Sequence, residues 1–362
     1  MPRPSIDRVR VLHGRLVQAL VLSGAIVIAG CQDAATPPPP PPPDETITDL
    51  VGLGGTWAMA RAINAPGRVV GEASVSGTQS RAFSWTALSG IRDLGTLGGS
   101  RSAAVAINDH SQIVGWSATA SGGFRAFILT IGQTMRDLGV PAGGVDSEAS
   151  DISDDGTVVG SWLTTGGEPR AFVWTQAAGM RDLSAPGFEL VQAAGVNGSG
   201  EVVGSAINSS TRVLRALIWS PSGEARELVE GTLPDDWESV ASAINSFGHV
   251  AGVSWTGNSP QRAFRWIGES GMRDLGVLPG MDWSVARDIS GQGHVVGVSG
   301  VNGSAVGHAF IWTEADGMRE LNGFAASDRA ESAAFGVNFY GRVVGYSWNG
   351  TVFRPVIFPE PR

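Results

Sequence analysis

The hydrophobic and polar positions of the chain follow a pattern that recurs seven times with a period of 44 to 48 residues, most clearly over residues 94–139. Each copy holds short runs of β-branched, aromatic and small residues, separated by glycine, asparagine and serine. Such runs are typical of β-strands joined by tight turns, and no stretch keeps a helical period. We therefore predict four strands per copy, here called A to D; in the second copy they are 103–108, 112–117, 125–130 and 135–138.

Three landmarks recur in every copy. The glycine that ends a V-V-G element lies in strand B, at Gly71, Gly115, Gly160, Gly204, Gly252, Gly297 and Gly345. Strand C opens with an R-A-F element or a variant of it, at Arg81, Arg125, Arg170, Arg215, Arg262, His308 and Arg354. The acid of a D-L-G element lies in strand D, at Asp49, Asp93, Asp137, Asp182, Glu227, Asp274 and Glu320. Basic and acidic residues present in every copy are expected to make the same interstrand pair each time.

Strand A carries small residues on one face, which lets neighbouring sheets approach closely, as the innermost strands around a central channel must. Four strands per copy at this period predict propeller blades. The array begins with a spare D strand at 46–51 and ends after a C strand at 352–358. We therefore predict an all-β, seven-bladed β-propeller of four-stranded blades, in which the N-terminal strand completes the last blade. An open solenoid is the structural alternative.

The repeated elements resemble a known family. A-x-x-I-N-x-x-G-x-V-V-G, R-A-F-x-W-T and R-D-L-G-x-L-G-G occur in order over residues 46–358, and together they resemble the extracellular HAF repeat family. The resemblance implies an exported repeat propeller and little about chemistry. No W-D dipeptide ends the strands, so the chain does not fit the ordinary WD40 pattern.

The N-terminus has the features of an export signal. Four arginines precede an apolar run at 16–29 that is too short to span a bilayer as an ordinary transmembrane helix. The sequence Ile28-Ala29-Gly30-Cys31 resembles the lipobox of bacterial lipoproteins, which implies that Cys31 is lipidated. The residue after it, Gln32, favours the outer membrane under that family's sorting rule.

These features divide the chain into three parts. We predict a signal peptide over 1–30, the lipidated Cys31 with a proline-rich linker over 31–45, and the propeller over 46–362. Seven consecutive prolines at 37–43 form a stiff polyproline spacer. We interpret this run as a stalk, and a docking site for a partner is the alternative. The membrane is thus expected to be reached through the lipid anchor only.

Charge and cysteine content narrow the possible partners. The net charge is −9, and residues 1–30 carry four Arg and one Asp, which leaves −12 for the rest. A body this acidic is a poor binder of nucleic acid, so no nucleic-acid partner is expected, and we expect a monomer. Cys31 is the single cysteine, so no internal disulfide can form.

No motif indicates a cofactor, a metal or catalysis. The histidines are scattered over different copies, and zinc needs convergent ligands. Residues 151–156, DISDDG, lack the alternating acids of a calcium loop and occupy an A–B hairpin, which favours a turn. No G-x-S-x-G nucleophile motif occurs. We therefore expect no metal and no cofactor, and no catalytic residue is assigned.

The copies differ most in the D–A loops, which in a propeller share one rim with the B–C loops. The position six residues before the Ile or Val of strand A holds Trp57, Arg101, Asp146, Leu190, Glu238, Trp283 and Glu331. With their neighbours, the predicted ligand-binding residues are Trp57, Arg101, Asp146, Glu189, Trp237, Glu238, Asp282, Trp283 and Arg329. A rim that mixes tryptophan with carboxylates can stack on and hydrogen-bond a sugar, or hold a cationic peptide. The alternative is that loops vary without function and that the tryptophans pack between blades.

The functional expectation is a lipid-anchored binding or scaffold module for glycan or protein ligands at the cell envelope, without catalysis. Two alternatives remain. The rim acids would suit a polysaccharide lyase or hydrolase that uses an acid and a base, or the protein has a purely structural role in the envelope.

Overall fold

The computed structural model describes residues 47–228, 238–257, 259–304, 306–324 and 331–359. The predicted signal peptide, the lipidation site Cys31 and the proline-rich linker lie outside these residues, as do Trp237 and Arg329 of the predicted rim. The described chain is built of β-strands, with one short 3-10 helix at Gly268–Ser270.

The strands follow the repeat. The first three groups are β1 (Thr48–Asp49); β2 (Ala58–Ile63), β3 (Val69–Ser76), β4 (Gln79–Thr86) and β5 (Gly90–Asp93); and β6 (Gly98–Ile107), β7 (Gln112–Thr119), β8 (Phe124–Thr130) and β9 (Arg136–Asp137). The next two are β10 (Gly144–Ile152), β11 (Val158–Thr164), β12 (Pro169–Thr175) and β13 (Gly179–Leu183); and β14 (Phe188–Val196), β15 (Val202–Asn208), β16 (Leu214–Trp219) and β17 (Ala225–Glu227).

The last three groups complete the described chain. They are β18 (Glu238–Ile244), β19 (Val250–Trp255), β20 (Arg262–Ile267) and β21 (Gly271–Asp274); β22 (Trp283–Ile289), β23 (Val295–Gly300), β24 (Gly307–Thr313) and β25 (Gly317–Glu320); and β26 (Ser332–Val337), β27 (Val343–Trp348) and β28 (Phe353–Ile357).

Each group pairs antiparallel in chain order, which confirms the prediction of four-stranded antiparallel sheets. A single parallel contact between Ser80 and Arg101 joins the sheets β2–β5 and β6–β9 into one. The group β26–β28 has β1 as its fourth strand, with Thr48 opposite Ile357 and Asp49 opposite Val356. The A strands β2, β6, β10, β14, β18, β22 and β26 contact one another in this order, and β26 contacts β2.

The second repeat shows where the sequence boundaries were imprecise. Its A strand begins at Gly98, so residues 98–102, predicted as a loop, extend β6 beyond the predicted start at 103. Positive φ at Gly98 and a register shift between Gly98 and Ser102 let the chain turn while it still pairs with β7. The predicted D strand 135–138 is shorter in the structure, where β9 is Arg136–Asp137.

The repeated V-V-G glycine is explained by close backbone packing. A Cβ added at Gly115 would lie 2.0 Å from the carbonyl oxygen of Ala103 in the paired A strand. The equivalent distance is 2.0 Å at Gly71 and 1.9 Å at Gly345. No side chain fits at such separations, so glycine in strand B is a condition for pairing with the bulged A strand.

The repeated charged residues of strands C and D pair as predicted in six of the seven repeats. Arg81 lies 3.9 Å from Asp93, and Arg170 lies 3.4 Å from Asp182. His308 replaces the arginine in its repeat and lies 2.6 Å from Glu320. The last repeat has its acid at the other end of the chain, where Arg354 lies 4.0 Å from Asp49. In the second repeat the prediction was wrong: the ion pair of Arg125 is with Asp146 of β10, at 3.8 Å, and not with Asp137.

Hydrogen bonds between A–B hairpins connect successive repeats. The Nδ2 of Asn64 donates to the carbonyl oxygen of Asn108 at 3.1 Å, and Asn108 donates to that of Ser153 at 3.0 Å. Asn197 and Asn245 repeat the contact further along the chain. These carbonyl groups are buried, so each bond satisfies an acceptor that would otherwise be costly.

Two repeats have serine in place of the hairpin asparagine, and an aspartate takes over the connection. Ser153 has no amide to donate, but Asp151 accepts the backbone N–H of Val196 in the next repeat at 2.9 Å. Ser290 follows the same rule, with Asp288 accepting the N–H of Val337 at 2.8 Å. The D-I-S sequence, predicted to be a turn, is thus also a contact between repeats.

Candidate functional site

The two tryptophans of the predicted rim that the structure describes lie in one apolar cluster. Trp57 precedes β2 and Trp283 begins β22, and both are half-buried against Met59, Val285 and Tyr346. Trp57 also makes a parallel bridge with Phe353 of β28. The structure therefore places the two tryptophans around the same patch, although 226 positions separate them in the sequence.

The predicted acids of the rim are used mainly to hold loops. Asp146 accepts the N–H of Phe124 at 2.8 Å. Glu189 pairs with Arg212 at 2.7 Å in an exposed salt bridge. Asp282 accepts the N–H of Asn302 at 2.9 Å. Because these carboxylates already have partners within the protein, they offer little negative charge to a cationic peptide.

The other two predicted residues lie apart from that set. Arg101 is exposed on β6, with its guanidinium 5.5 Å from the centre of the Trp116 ring. Glu238 is the first residue of β18, half-buried opposite Trp255. Neither makes a described contact with Trp57 or Trp283.

A second set of positions, which was not predicted from the sequence, lies within the A strands. Each A strand has a β-bulge that leaves one residue without a partner in the B strand. The bulged residues are Arg61, Val105, Ser150, Ala194, Ser242, Arg287 and Phe335. All seven are half-buried, while the residues that precede them in the strands are fully buried. This exposure indicates that water reaches a surface shared by the A strands.

The three large bulged residues come together. The Arg61 guanidinium lies 4.8 Å from the centre of the Phe335 ring, and that of Arg287 lies 5.6 Å from it. Arg61 also donates to Glu72 at 2.5 Å. Burial lowers the pKa of Arg287 to about 10, and the neighbouring positive charge of Arg61 contributes to this. Two cations therefore lie close to one aromatic ring, in a place that only partly exposes them to water.

Glu331 and Tyr346 extend this group. The Tyr346 hydroxyl donates to the Glu331 carboxylate at 3.0 Å, and its ring lies 5.7 Å from that of Phe335. Burial raises the pKa of Glu331 to about 7, although the hydrogen bond from Tyr346 opposes the change. We call the seven residues Trp57, Arg61, Trp283, Arg287, Glu331, Phe335 and Tyr346 the arginine–aromatic cluster.

Two buried carboxylates lie on the hairpin side of the bulges. Burial raises the pKa of Asp151 to about 7, and the negative charge of Asp288 adds to this effect. Burial also raises the pKa of Asp288. The two residues belong to different repeats, on β10 and β22, and the negative charge of Asp288 opposes the ionisation of Asp151.

Several solved structures are similar to this chain in fold. An oligogalacturonate lyase in complex with manganese superposes with a TM-score of 0.58 at 10% identity, covering 87% of this chain and 93% of that one. Virginiamycin B lyase from Staphylococcus aureus gives a TM-score of 0.55 at 11% identity, covering 86% and 99%. A prolyl endopeptidase gives 0.55 at 12% identity, covering 81% of this chain and only 46% of that one. The neighbours are propeller proteins.

This chain has a β-propeller fold. At such low identity the propeller neighbours show the fold alone, and their activities are not carried over. No protein-family model matches the propeller chain, and no curated protein matches it in sequence. Among the described residues, three or more potential metal ligands do not converge anywhere, and none of the helices has the length and hydrophobicity needed to cross a membrane.

Sequence reasoning found two of the seven cluster residues, Trp57 and Trp283, as ligand-binding candidates. Glu331 occupies the same variable position before strand A but was not among the predicted binding residues, and Tyr346 was not considered. Arg61, Arg287 and Phe335 were missed because they lie within strand A, between two small residues that were taken to define it. The sequence did contain a signal for them. In three repeats a charged or aromatic residue lies inside strand A next to its small residues, as Arg61 does between Ala60 and Ala62.

Proposed function

We propose that this propeller is a closed ring of seven blades whose last blade is completed by β1. The antiparallel pairing of β1 with β28 supports this, as does the contact between β26 and β2. In such a ring the A strands surround a central channel, and the bulged residues line it. The arginine–aromatic cluster then spans the sixth, seventh and first repeats, at the junction between the two ends of the chain.

The propeller is further proposed to be an exported lipoprotein, attached through Cys31 to the outer membrane and held off it by the proline run. The lipobox-like sequence before Cys31 and the arginines ahead of the apolar run support this. Metabolic labelling with a palmitate analogue tests it. Label that enters the native chain but not a Cys31→Ser variant is the expected result, and equal labelling of both would contradict it.

The function that the geometry supports best is non-catalytic binding of a glycan or protein ligand on the loop-rich rim. The single observation that carries this proposal is that Trp57, Trp283 and Phe335, all half-buried, pack against one apolar cluster, of which the buried Tyr346 is part. Half-buried aromatic rings around a shared, solvent-reached surface offer stacking faces for a sugar or an apolar side chain. Residues whose role is only to build the blades do not require such a set of aromatic rings.

A glycan array with the full mature chain tests this function. Trp57→Ala and Trp283→Ala are expected to abolish binding of any glycan that the native chain captures, with the far-ultraviolet spectrum unchanged. Leu88→Ala is the control, because Leu88 is 99% exposed in a C–D turn. Binding that survives both tryptophan substitutions would remove the rim from consideration.

One observation favours the lyase or hydrolase alternative. Glu331 has a pKa of about 7 and lies beside the Tyr346 hydroxyl, and a carboxyl group with this pKa can act as a general acid or base near neutral pH. Incubation of each captured glycan with the native chain, followed by product analysis, separates the two functions. Turnover that Glu331→Gln abolishes would establish catalysis in place of simple binding.

A further inference from the structure

We propose that the arginine–aromatic cluster binds an acidic sugar, a uronate-containing oligosaccharide whose carboxylate lies between Arg61 and Arg287. This inference rests on the proposed binding function and specifies its ligand class. It differs from the expectation drawn from the rim acids, because the charge gathered at the cluster is positive rather than negative.

The cluster has an approximate symmetry that the sequence repeats make visible. The first and sixth repeats each supply a tryptophan before strand A and an arginine at its bulge, namely Trp57 with Arg61 and Trp283 with Arg287. The seventh repeat lies between them and supplies Glu331 and Phe335 at the same two positions. The other repeats have Val105, Ser150, Ala194 and Ser242 at the bulge. Large residues are thus confined to three consecutive repeats.

The charges at the cluster favour an anion. The guanidinium groups of Arg61 and Arg287 lie 4.8 and 5.6 Å from the centre of the Phe335 ring, and the charge of Arg61 acts on Arg287. Glu72 pairs with Arg61, and Glu331 is uncharged below neutral pH because burial raises its pKa to about 7. The two arginines and these two acids together then carry a net positive charge, where water reaches only in part. A ligand carboxylate there would form charge-assisted hydrogen bonds and relieve the repulsion between the guanidinium groups.

The surroundings favour a sugar as the carrier of that carboxylate. Trp57 and Trp283 are half-buried, one in each flanking repeat, and they leave ring surface available to the C–H face of a pyranose. The half-buried Glu331 carboxyl accepts a hydrogen bond from the buried Tyr346 hydroxyl and keeps further hydrogen-bonding capacity for the hydroxyl groups of a sugar. A small inorganic anion would use the arginines alone and leave the tryptophans without a role.

Titration calorimetry on the full mature chain tests the inference with two probes. Trigalacturonate is the acidic probe, and its methyl ester is a neutral match of the same shape. We expect the acid to bind at least about tenfold more tightly than the ester, because a hydrogen bond to a charged group contributes more than one to a neutral group. Arg287→Met is expected to remove this preference, and Arg287→Lys to restore part of it. Arg226→Met is the matched control, because Arg226 is exposed on β17 and lies over Trp266, outside both the cluster and the predicted rim residues.

The outcomes separate this inference from the function on which it rests. Equal affinity for acid and ester, or an acid preference that survives Arg287→Met and Arg61→Met, would overturn the acidic-sugar inference and leave glycan binding intact. Inorganic phosphate that displaces the acid without any effect of Trp57→Ala would show a simple anion site and contradict it as well. Absence of binding to both probes, together with a blank glycan array, would overturn the glycan function itself.

Discussion

The side-chain amide of Asn338 donates a hydrogen bond to the carbonyl oxygen of Asn64 at 3.1 Å, across 274 positions of sequence. The other asparagine bonds of this type join a repeat to the one that follows it, whereas this one joins the last repeat to the first. Asn64 and Asn338 follow Arg61 and Phe335 by three positions in the sequence. This contact and the candidate site therefore lie at the same junction between the last and the first repeat.

Asn338→Asp tests how much that contact contributes to the stability of the fold. The introduced carboxylate keeps the oxygen that accepts the N–H of Tyr340 and Arg342, but it faces the Asn64 carbonyl with a charge instead of a donor. We expect the free energy of unfolding to fall by about 2 kcal/mol, since a buried acceptor loses its partner. Urea denaturation measures it. Asn349→Asp is the control, because Asn349 accepts two turn N–H groups on the surface. Equal effects at both sites would mean that the Asn338 amide contributes nothing.

Gly115→Ala tests the close approach of strands A and B. The new methyl group would lie 2.0 Å from the Ala103 carbonyl oxygen, so β6 and β7 must separate. We expect a loss of at least about 3 kcal/mol of stability or a failure to fold. Gly198→Ala, where the structure has open space for a methyl group, should change stability by less than about 0.5 kcal/mol. Thermal melts of both variants decide the matter, and a small effect at Gly115 would argue against the bulged pairing.

Asp151→Asn tests the buried carboxylate pair. The pKa of Asp151 is about 7 in the native protein against 3.8 as the ordinary value, so its ionisation destabilises the fold as pH rises from about 4 to 7. Asparagine carries no charge and keeps an oxygen for the Val196 N–H, but its amide then faces the N–H of Ile152, which lowers the variant's stability by an amount that does not depend on pH. We expect the stability of the variant to rise relative to the native protein by about 1 to 2 kcal/mol between pH 5 and pH 8, less than the full shift because water reaches the side chain. Parallel denaturation curves at the two pH values provide the test, and a pH-independent difference would refute it.

Glu331 should make acidic-sugar binding depend on pH. Its pKa of about 7 means that it becomes negatively charged as pH rises through neutrality, next to the proposed carboxylate site. Tyr346, which donates a hydrogen bond to it, has a pKa raised well above 10 by burial and does not titrate in this range. We expect trigalacturonate affinity to weaken between pH 6 and 8 in the native chain, by about fivefold, and to stay constant in Glu331→Gln. A similar pH dependence in both proteins would assign it elsewhere.

The sequence allowed the sheets, the V-V-G glycines and most interstrand ion pairs to be predicted, because each is imposed by backbone pairing and so appears in every repeat. The contact from His308 to Glu320 shows that even a substituted pair could be located by register. The cluster could not be predicted in the same way. Its bulged residues, Arg61, Arg287 and Phe335, come together because of β-bulges and because repeats that are distant in the sequence meet. The local alternation of hydrophobic and polar residues predicts neither feature.

The roles of the rim acids were also beyond the sequence. Asp146 and Glu189 appeared free to bind a ligand because their loops differ between repeats. In the structure each pairs with an arginine of a neighbouring strand or loop, Arg125 and Arg212. Which carboxylates stay available depends on loop conformation, and residue type alone does not determine it.

The central claim is that the two ends of the chain meet in one blade and thereby build the site. The most direct measurement is disulfide formation in a Thr48→Cys, Ile357→Cys variant on a Cys31→Ser background, because Cys31 is the single native cysteine and residues 48 and 357 are opposite one another in β1 and β28. The account predicts an intramolecular disulfide that forms under mild oxidation and speeds migration on a non-reducing gel, while a Thr48→Cys, Ser222→Cys control stays reduced. Failure of the 48–357 pair to oxidise, or equal oxidation of the control, would contradict it.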